Sequence, residues 1–506
     1  MGVYGTRAWP AAKYLMYAFW RSWILIVYTA PIWSYLTGGT PAQSPAPATQ
    51  MYVWSTLAFS VVSIALAVVH RRSRGVLTNR WAMLGVGVLA SLGVVLEYAA
   101  LLAGGPGAGS PLFVAGAVLS GAGTAFVAVR AGMIYARALP ATAVANAALS
   151  EVAAGLLFFF VIGTLPQVAL LVAAGLPLLA AFMAWLDASD PEGAGCDLEP
   201  SGESQPHVAP GALGPFARFM GAVFVLTCVA SLVKGMFDSH GAAGLSLESG
   251  VLGVTAAVLV SFALSLAASF ARSFNFSVVY YPLVLVLAVG VVLVFALGGY
   301  NIFAASITVF VYSMFSLFMW CLLSFIARSD YWSSIQVFGW GRGIFALGSL
   351  VGHYVGVSMD LFRVADVQPL VVGVVLAFLV VGSGMLIYRE GDVRKVVNAA
   401  WLGEELRRGA EGAEPSEGAS QAVPDAAAPA VGSEGFSADD FALAHNFTSR
   451  EREVFSLMLE GRDARTIGTT FVISENTAKS HIRSIYAKTG VHTRQEFIDA
   501  VRGVGR

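Results

Sequence analysis

Apolar stretches of roughly spanning length run through the first 390 residues of the chain, separated mostly by short polar gaps. A helix needs about 20 mostly apolar residues to cross the hydrocarbon core of a bilayer. The pattern therefore predicts a polytopic, all-α membrane body with about twelve spans. The predicted spans are residues 14–36, 51–69, 81–103, 112–129, 142–163, 166–186, 216–234, 248–271, 278–298, 302–327, 335–357 and 368–388.

One gap differs from the others. Residues 187–215, between the sixth and seventh stretches, are long, polar and acidic. This gap divides the predicted spans into six plus six.

Farther along, residues 409–435 are rich in Ala, Gly, Pro, Ser and Glu and contain no aromatic residue. Such a segment cannot build a core and is expected to be a flexible tether.

These shifts predict three regions: a membrane body at 1–397, an acidic linker at 398–446 and a small helical domain at 447–506. Overall, 57% of the residues are hydrophobic and 12% are charged, whereas about 25% are charged in a typical soluble domain. The composition argues against one large water-soluble enzyme. The three regions carry formal net charges of +3, −7 and +3.

Arginines in the gaps predict the topology, because Lys and Arg concentrate in cytoplasmic loops. The even-numbered gaps contain basic residues such as Arg71, Arg130, Arg272 and Arg328, whereas most odd-numbered gaps have none. Both termini are therefore expected to be cytoplasmic, in a multi-pass protein of the cell membrane.

The last 60 residues have a different pattern. Thr448 followed three residues later by Glu451 is a capping box, which predicts the start of a helix. Val454, Leu457 and Met458 form an apolar face of that helix. Helices are further predicted at about 464–471, 475–489 and 493–502, and the third has a basic outer face. A short helix, a tight turn and a basic helix form the helix-turn-helix arrangement.

These residues closely resemble the LuxR-type (GerE-type) DNA-binding domain, through TSREREVFSLMLEG and ISENTAKSHIRSIYAKTGVHTRQEF. The resemblance implies double-stranded promoter DNA as a partner and a homodimer on that DNA. It implies that the last helix supplies the dimer contact, with Phe497 and Ile498 as candidates. Implied base contacts are Lys479, Ser480 and Arg483. Implied backbone contacts are Thr477, His481 and Lys488.

The six-plus-six body resembles the major facilitator superfamily, over about residues 10–390. Members often carry a Gly/Asp/Arg-rich motif between spans two and three. Here that loop reads HRRSRGVLTNR (70–80), which keeps the arginines but lacks the Asp and most of the glycines. The resemblance implies a fold and leaves transport open.

Ionisable residues within the spans are the candidates for an input site. Such groups are costly in a bilayer and usually face a bundle interior or a water-filled cavity. Glu97, Glu151 and Arg342 are the ligand-sensing candidates, and the alternative for them is structural pairing between helices. We expect the input site between the two six-span halves. For Trp320 and Trp340 the alternatives are lining a cavity or facing lipid, and ordinary packing is the favoured interpretation. GWGRG (339–343) is rejected as a phosphate loop because it lies inside an apolar span and follows no strand.

No nucleophile–base pair, cofactor motif or metal-ligand spacing appears in the sequence, so neither an enzyme nor a metal or cofactor site is expected. We expect a membrane-tethered one-component regulator, which senses a small-molecule or membrane signal and binds DNA. One alternative is a secondary transporter with an added regulatory domain. Another is a membrane protein that only localises DNA or receives its signal from another membrane protein.

Overall fold

A computed structural model describes residues 13–29, 46–104, 110–138, 140–187, 213–239, 243–270, 276–296, 302–328, 332–358, 369–389, 445 and 447–459, with isolated positions from 467 to 497. These residues contain helices and no strand, which confirms the all-α fold class. They belong to two compact units, Met1–Glu414 and Pro415–Arg506. The predicted linker lies almost entirely outside the described residues.

The described part of the first unit forms thirteen helices. They are α1 (Leu15–Thr29), α2 (Ala46–Val68), α3 (His70–Thr78), α4 (Arg80–Gly104), α5 (Pro111–Arg137), α6 (Pro140–Ile162), α7 (Pro166–Asp187), α8 (Leu213–Ser239), α9 (Ala243–Phe270), α10 (Phe276–Ala296), α11 (Ile302–Ile326), α12 (Ser334–Ser358) and α13 (Pro369–Arg389). Each predicted span overlaps one of them, and α3 is an additional short helix.

A multi-pass membrane body is supported by the length and composition of these helices. Eight of them, namely α2, α4 to α9 and α11, are long and apolar enough to cross a membrane. Shorter apolar segments lie in α1, α10 and α13. The number of twelve spans stays a prediction.

Apart from the short α3, the described helices of the membrane body fall into two groups of six. In the first group, α4 packs against α5 and α7, α2 against α5, and α1 against α6 and α7. In the second group, α12 packs against α8, α9 against α11, and α13 against α10 and α8. The groups meet mainly where α2 packs on α12 and α6 packs on α9. This agrees with the six-plus-six division of the sequence.

Glycines let α12 approach its neighbours closely on two sides. A Cβ added at Gly339 would lie 2.6 Å from the carbonyl oxygen of Ser63 in α2. A Cβ at Gly352 would collide with the carbonyl of Cys228 in α8. Small residues at such crossings are the usual means of close packing between membrane helices. The GWGRG segment therefore serves helix packing, in agreement with its rejection as a phosphate loop.

The second unit contains α14 (Ser449–Leu459) and a small apolar core. The predicted capping box is present: Thr448 N donates to Glu451 Oε2 at 2.8 Å, and Glu451 N donates to Thr448 Oγ1 at 3.3 Å. Val454 is buried as predicted, and Leu457 and Met458 pack against the core. The core residues are Phe447, Val454, Phe455, Ile467, Ile485 and Phe497.

Candidate functional site

A buried ion pair joins α1 to α6 inside the membrane body. Arg21 donates from Nε to Glu151 Oε2 at 2.8 Å and from Nη2 to Glu151 Oε1 at 2.9 Å. The same Nη2 donates to Ser313 Oγ in α11 at 3.0 Å. Arg21 and Glu151 are each 1% exposed. Because both carboxylate oxygens are engaged by one guanidinium, the two charges compensate each other.

Arg342 of α12 is buried without such compensation. It is 4% exposed, and its Nη1 donates to Ser316 Oγ at 3.3 Å. Its Nε has no hydrogen-bond partner in the described part of the chain. The guanidinium carbon lies 4.5 Å from the ring centroid of Phe345 and 4.9 Å from that of Trp20. Arg342 is therefore held between aromatic faces with part of its donor edge unused.

The magnitudes show why the aromatic contacts do not balance this charge. A cation–π contact contributes about 0.5–2 kcal/mol, depending on desolvation. Removing an ion from water costs several kcal/mol even after the protein relaxes. Arg21 meets that cost through Glu151, whereas no carboxylate among the described residues pairs with Arg342. The cluster thus carries one excess positive charge.

A cavity of about 40 Å³ lies beside this cluster, between the two groups of six helices. Its lining comes from α1, α2, α11 and α12, and it includes Arg21 and Arg342. Seven of its fourteen lining residues are aromatic. In this conformation the cavity has room for about three or four water molecules, because each water needs roughly 10–15 Å³ on the same measure.

The three sensing candidates are not equivalent in the structure. Arg342 lines the cavity, and Glu151 contacts the cavity-lining Arg21. Glu97 in α4 is fully buried, accepts a hydrogen bond from Ser120 Oγ at 2.9 Å and does not line the cavity. Its Oε2 has no hydrogen-bond partner among the described residues.

Sequence reasoning overlooked Arg21, although it is an ionisable residue in the first predicted span. Its partner lies 130 residues away, so no local pattern indicates the pair. The interpretation of Trp320 as ordinary packing agrees with the structure, where it is fully buried and stacks on Tyr17 at 4.1 Å between ring centroids.

One topology residue also occupies a different place than expected. Arg130 was assigned to the gap after span four, but α5 continues to Arg137 and buries it. Its Nη2 donates to Asp187 Oδ2, at the end of α7, at 2.6 Å. The ion pair explains why a charged side chain is tolerated inside the helix bundle.

In the second unit, Glu451 connects the start of α14 to a later segment. Its Oε2 lies 2.6 Å from Lys488 Nζ, and its Oε1 accepts from Ser484 Oγ at 2.6 Å. Burial disfavours the ionised carboxylate, but the hydrogen bonds from Lys488 and Ser484 outweigh that effect. With those from Thr448, they lower the pKa of Glu451 to about 2.

The predicted DNA contacts are only partly described. His481 is half-buried, and Lys488 is partly exposed while it pairs with Glu451. Lys479, Ser480, Arg483 and Thr477 lie outside the described residues, as does Ile498. The other dimer candidate, Phe497, is 2% exposed and packs edge-to-face on Phe455. Phe497 therefore belongs to the domain core, and a dimer contact through the last helix stays a prediction.

Comparison with known proteins assigns the C-terminal unit to a family. Residues 445–501 match the luxR family of bacterial regulatory proteins. The chain is also 37% identical over 51 residues to the spore germination protein GerE of Bacillus subtilis (strain 168), covering 10% of this chain and 69% of that protein. The chain belongs to the luxR family. Its luxR-family domain is a DNA-binding domain of transcription regulators, and such domains bind double-stranded DNA.

The membrane body is similar in fold to solved transporters of the major facilitator superfamily. The match to the proton:xylose symporter XylE, bound to 6-bromo-6-deoxy-D-glucose, covers 75% of this chain and 94% of the XylE chain, with a TM-score of 0.50 and 12% identity. The match to FucP in the outward conformation covers 75% of this chain and 97% of the FucP chain, with a TM-score of 0.46 and 12% identity. At this identity the likeness to XylE concerns the fold alone.

Proposed function

We propose that this protein is a membrane-tethered, one-component transcription regulator. Its helix bundle receives a signal at the cavity beside Arg342, and its luxR-family domain binds promoter DNA at the cytoplasmic face as a homodimer. The observation that carries the proposal is the presence, in one chain, of a DNA-binding domain and a transporter-like body with a charged, buried cavity. The signal acts through its different affinities for two conformations of the body.

The DNA-binding part is supported by the family membership and by the predicted recognition helix. Lys479 and Arg483 are four residues apart in the sequence, which would place them one turn apart on the predicted helix, and their donors suit the acceptors on guanine in the major groove. We expect Arg483→Ala to remove roughly 1–3 kcal/mol of discrimination at one base pair. Lys488→Ala weakens binding to all sequences alike and reduces the salt dependence if it contacts a phosphate.

The test maps the DNA that the full chain occupies in cells by cross-linking, and then measures the bound promoter with a reporter. Enrichment of defined promoters that disappears in Arg483→Ala supports the proposal. Arg450→Ala, in α14 and outside the predicted recognition helix, is the matched control and is expected to keep the enrichment. Equal loss of specific and random DNA binding in Arg483→Ala would contradict the base-reading role.

A second candidate function is secondary transport combined with regulation, which the likeness in fold to XylE favours. Solute uptake by the purified protein in liposomes separates the two functions. Concentrative uptake that requires the intact cavity supports the transporter. Ligand binding without uptake, together with a promoter response, supports the sensor.

A further inference from the structure

The buried arginine in the cavity provides an unused binding edge. A guanidinium has five N–H donors in a planar fork, which matches the two oxygens of a carboxylate. Arg342 uses one donor on Ser316 at 3.3 Å, and its Nε donor has no partner in the described residues. Phe345 and Trp20 contact the guanidinium without using its N–H groups.

Within the described ranges, the buried carboxylates of Glu151 and Glu97 do not pair with Arg342. Glu151 directs both oxygens to Arg21, so it is not free to pair with Arg342. Glu97 is bound to Ser120 and lies outside the cavity lining. The cavity therefore has one positive charge in excess, and a ligand with a single negative charge would neutralise it. A cation would add to the imbalance, and a neutral ligand would leave it.

The rest of the lining indicates the body of the ligand. Half of the lining residues are aromatic. Arg21 and Arg342 are the lining residues that carry a charge at neutral pH. Aromatic side chains prefer offset or edge-to-face contacts with other rings. Such a surface favours a ligand with a flat ring that can pack against these side chains.

We propose that the cavity binds a small aromatic monocarboxylate, whose carboxylate contacts Arg342 and whose ring packs on the aromatic lining. This inference rests on the proposed sensory role of the cavity, and it names the class of the signal. Since the cavity of about 40 Å³ is smaller than an aromatic acid, the ligand binds a more open conformation than the one described. Binding then shifts the population of the body toward that open state.

The experiment uses the purified full chain in nanodiscs, with tryptophan fluorescence and thermal unfolding as readouts. The probes are benzoate, phenylacetate and cinnamate, each paired with its neutral amide, and acetate as an anion without a ring. We expect at least one aromatic acid to bind, its amide to bind roughly 10- to 100-fold more weakly, and acetate to bind weakly as well. Failure of all three acids overturns the proposal, as does equal binding of acid and amide.

Two variants separate ligand binding from folding. Arg342→Gln is expected to lose the preference for acid over amide, and Arg342→Lys to retain only part of it, because Lys keeps the charge but lacks the planar fork. Arg218→Gln, an exposed position in α8, is the matched control and is expected to bind like the original protein. Unchanged acid preference in folded Arg342→Gln overturns the proposal. The comparison of acids with amides on the unaltered chain remains decisive if Arg342→Gln does not fold.

A promoter reporter distinguishes this inference from the proposed function. Acid-selective binding without any promoter response supports the anion site and contradicts the sensory role. The opposite outcome is a promoter response to a signal that does not bind in the cavity, together with no acid-selective binding. It contradicts the anion site, and the proposed role in transcription regulation stands.

Discussion

Lys488 Nζ lies 2.6 Å from Glu451 Oε2, so the carboxylate that caps the start of α14 also binds a side chain 37 residues later. The capping box itself is local and is visible in the sequence. The second use of the same carboxylate is not visible there. It follows that substitutions at either residue affect the fold of the domain as well as any contact that Lys488 makes with DNA.

We predict that Glu451→Gln destabilises the C-terminal domain by about 1–3 kcal/mol, because an ionised hydrogen-bond acceptor of three groups is lost. Urea unfolding of residues 440–506, followed by circular dichroism, measures the change. Glu453→Gln, an exposed position in the same helix, is the matched control and is expected to change stability by less than about 0.5 kcal/mol. Equal effects of both variants would contradict the role of the network.

The carboxylate of Glu451 also makes the stability of the C-terminal domain depend on pH. Its pKa of about 2 in the folded domain lies below the value of about 4.3 for an unfolded Glu. A lowered folded-state pKa contributes stability that is fully present above about pH 4.3 and is lost as the pH falls toward 2. We therefore expect the stability difference between the original domain and Glu451→Gln to shrink between pH 5 and pH 2. A difference that stays constant across this range contradicts the assignment.

Removing one partner of the ion pair between α1 and α6 is expected to destabilise the membrane body. Arg21→Gln or Glu151→Gln leaves the other charge buried and unpaired, which costs roughly 3–5 kcal/mol. We expect each variant to lower the amount of folded protein in the membrane, and the double variant Arg21→Gln/Glu151→Gln to recover part of it. Quantitative immunoblotting of membranes and thermal unfolding of the purified protein measure both effects. Full abundance of Glu151→Gln with a lost promoter response would instead favour a sensing role for Glu151.

The close crossing of α8 and α12 predicts a position-specific effect of one methyl group. Gly352→Ala places a Cβ against the carbonyl of Cys228, so we expect the melting temperature and the folded yield to fall. Gly221→Ala in α8 has no atom within 4 Å of the added Cβ and is the matched control. Similar melting temperatures for both variants would show that the crossing is looser than described.

The topology is tested with reporters. A fusion after Gly38 is expected to report an external location and one after Arg74 a cytoplasmic location, because the arginine-rich gaps are expected to stay inside. Opposite signals at both positions would reverse the predicted orientation of the bundle.

The sequence predicted the features that depend on local spacing better than those that depend on contacts between distant segments. Thr448 and Glu451 are three residues apart, so their capping geometry follows from helix geometry alone. Phe455 was not recognised as core because it lies beside the stripe formed by Val454 and Leu457. The pairing of Arg21 with Glu151 depends on how helices pack, which periodicity does not determine.

Arg342 was found for a different reason. An ionisable residue in an apolar span is unusual whatever its neighbours are, so its identity alone marks it. Its contact with Phe345 follows from their spacing of three residues on α12. Its contacts with Trp20 and Ser316 could not be read from the sequence, because those residues lie on α1 and α11. The sequence therefore indicates which groups are candidates, and the packing decides which of them share a cavity.

The two-sided glycine packing of α12 has a mechanical consequence for signalling. At Gly339 and Gly352 the backbone of α12 lies directly against that of α2 and of α8, so no side chain at these crossings can absorb a small displacement. Because α2 belongs to the first group of helices and α8 to the second, α12 is packed tightly against both halves of the body. If a ligand binds Arg342 as proposed, the close packing leaves α12 little room to move alone, so α12 would shift together with α2 and α8.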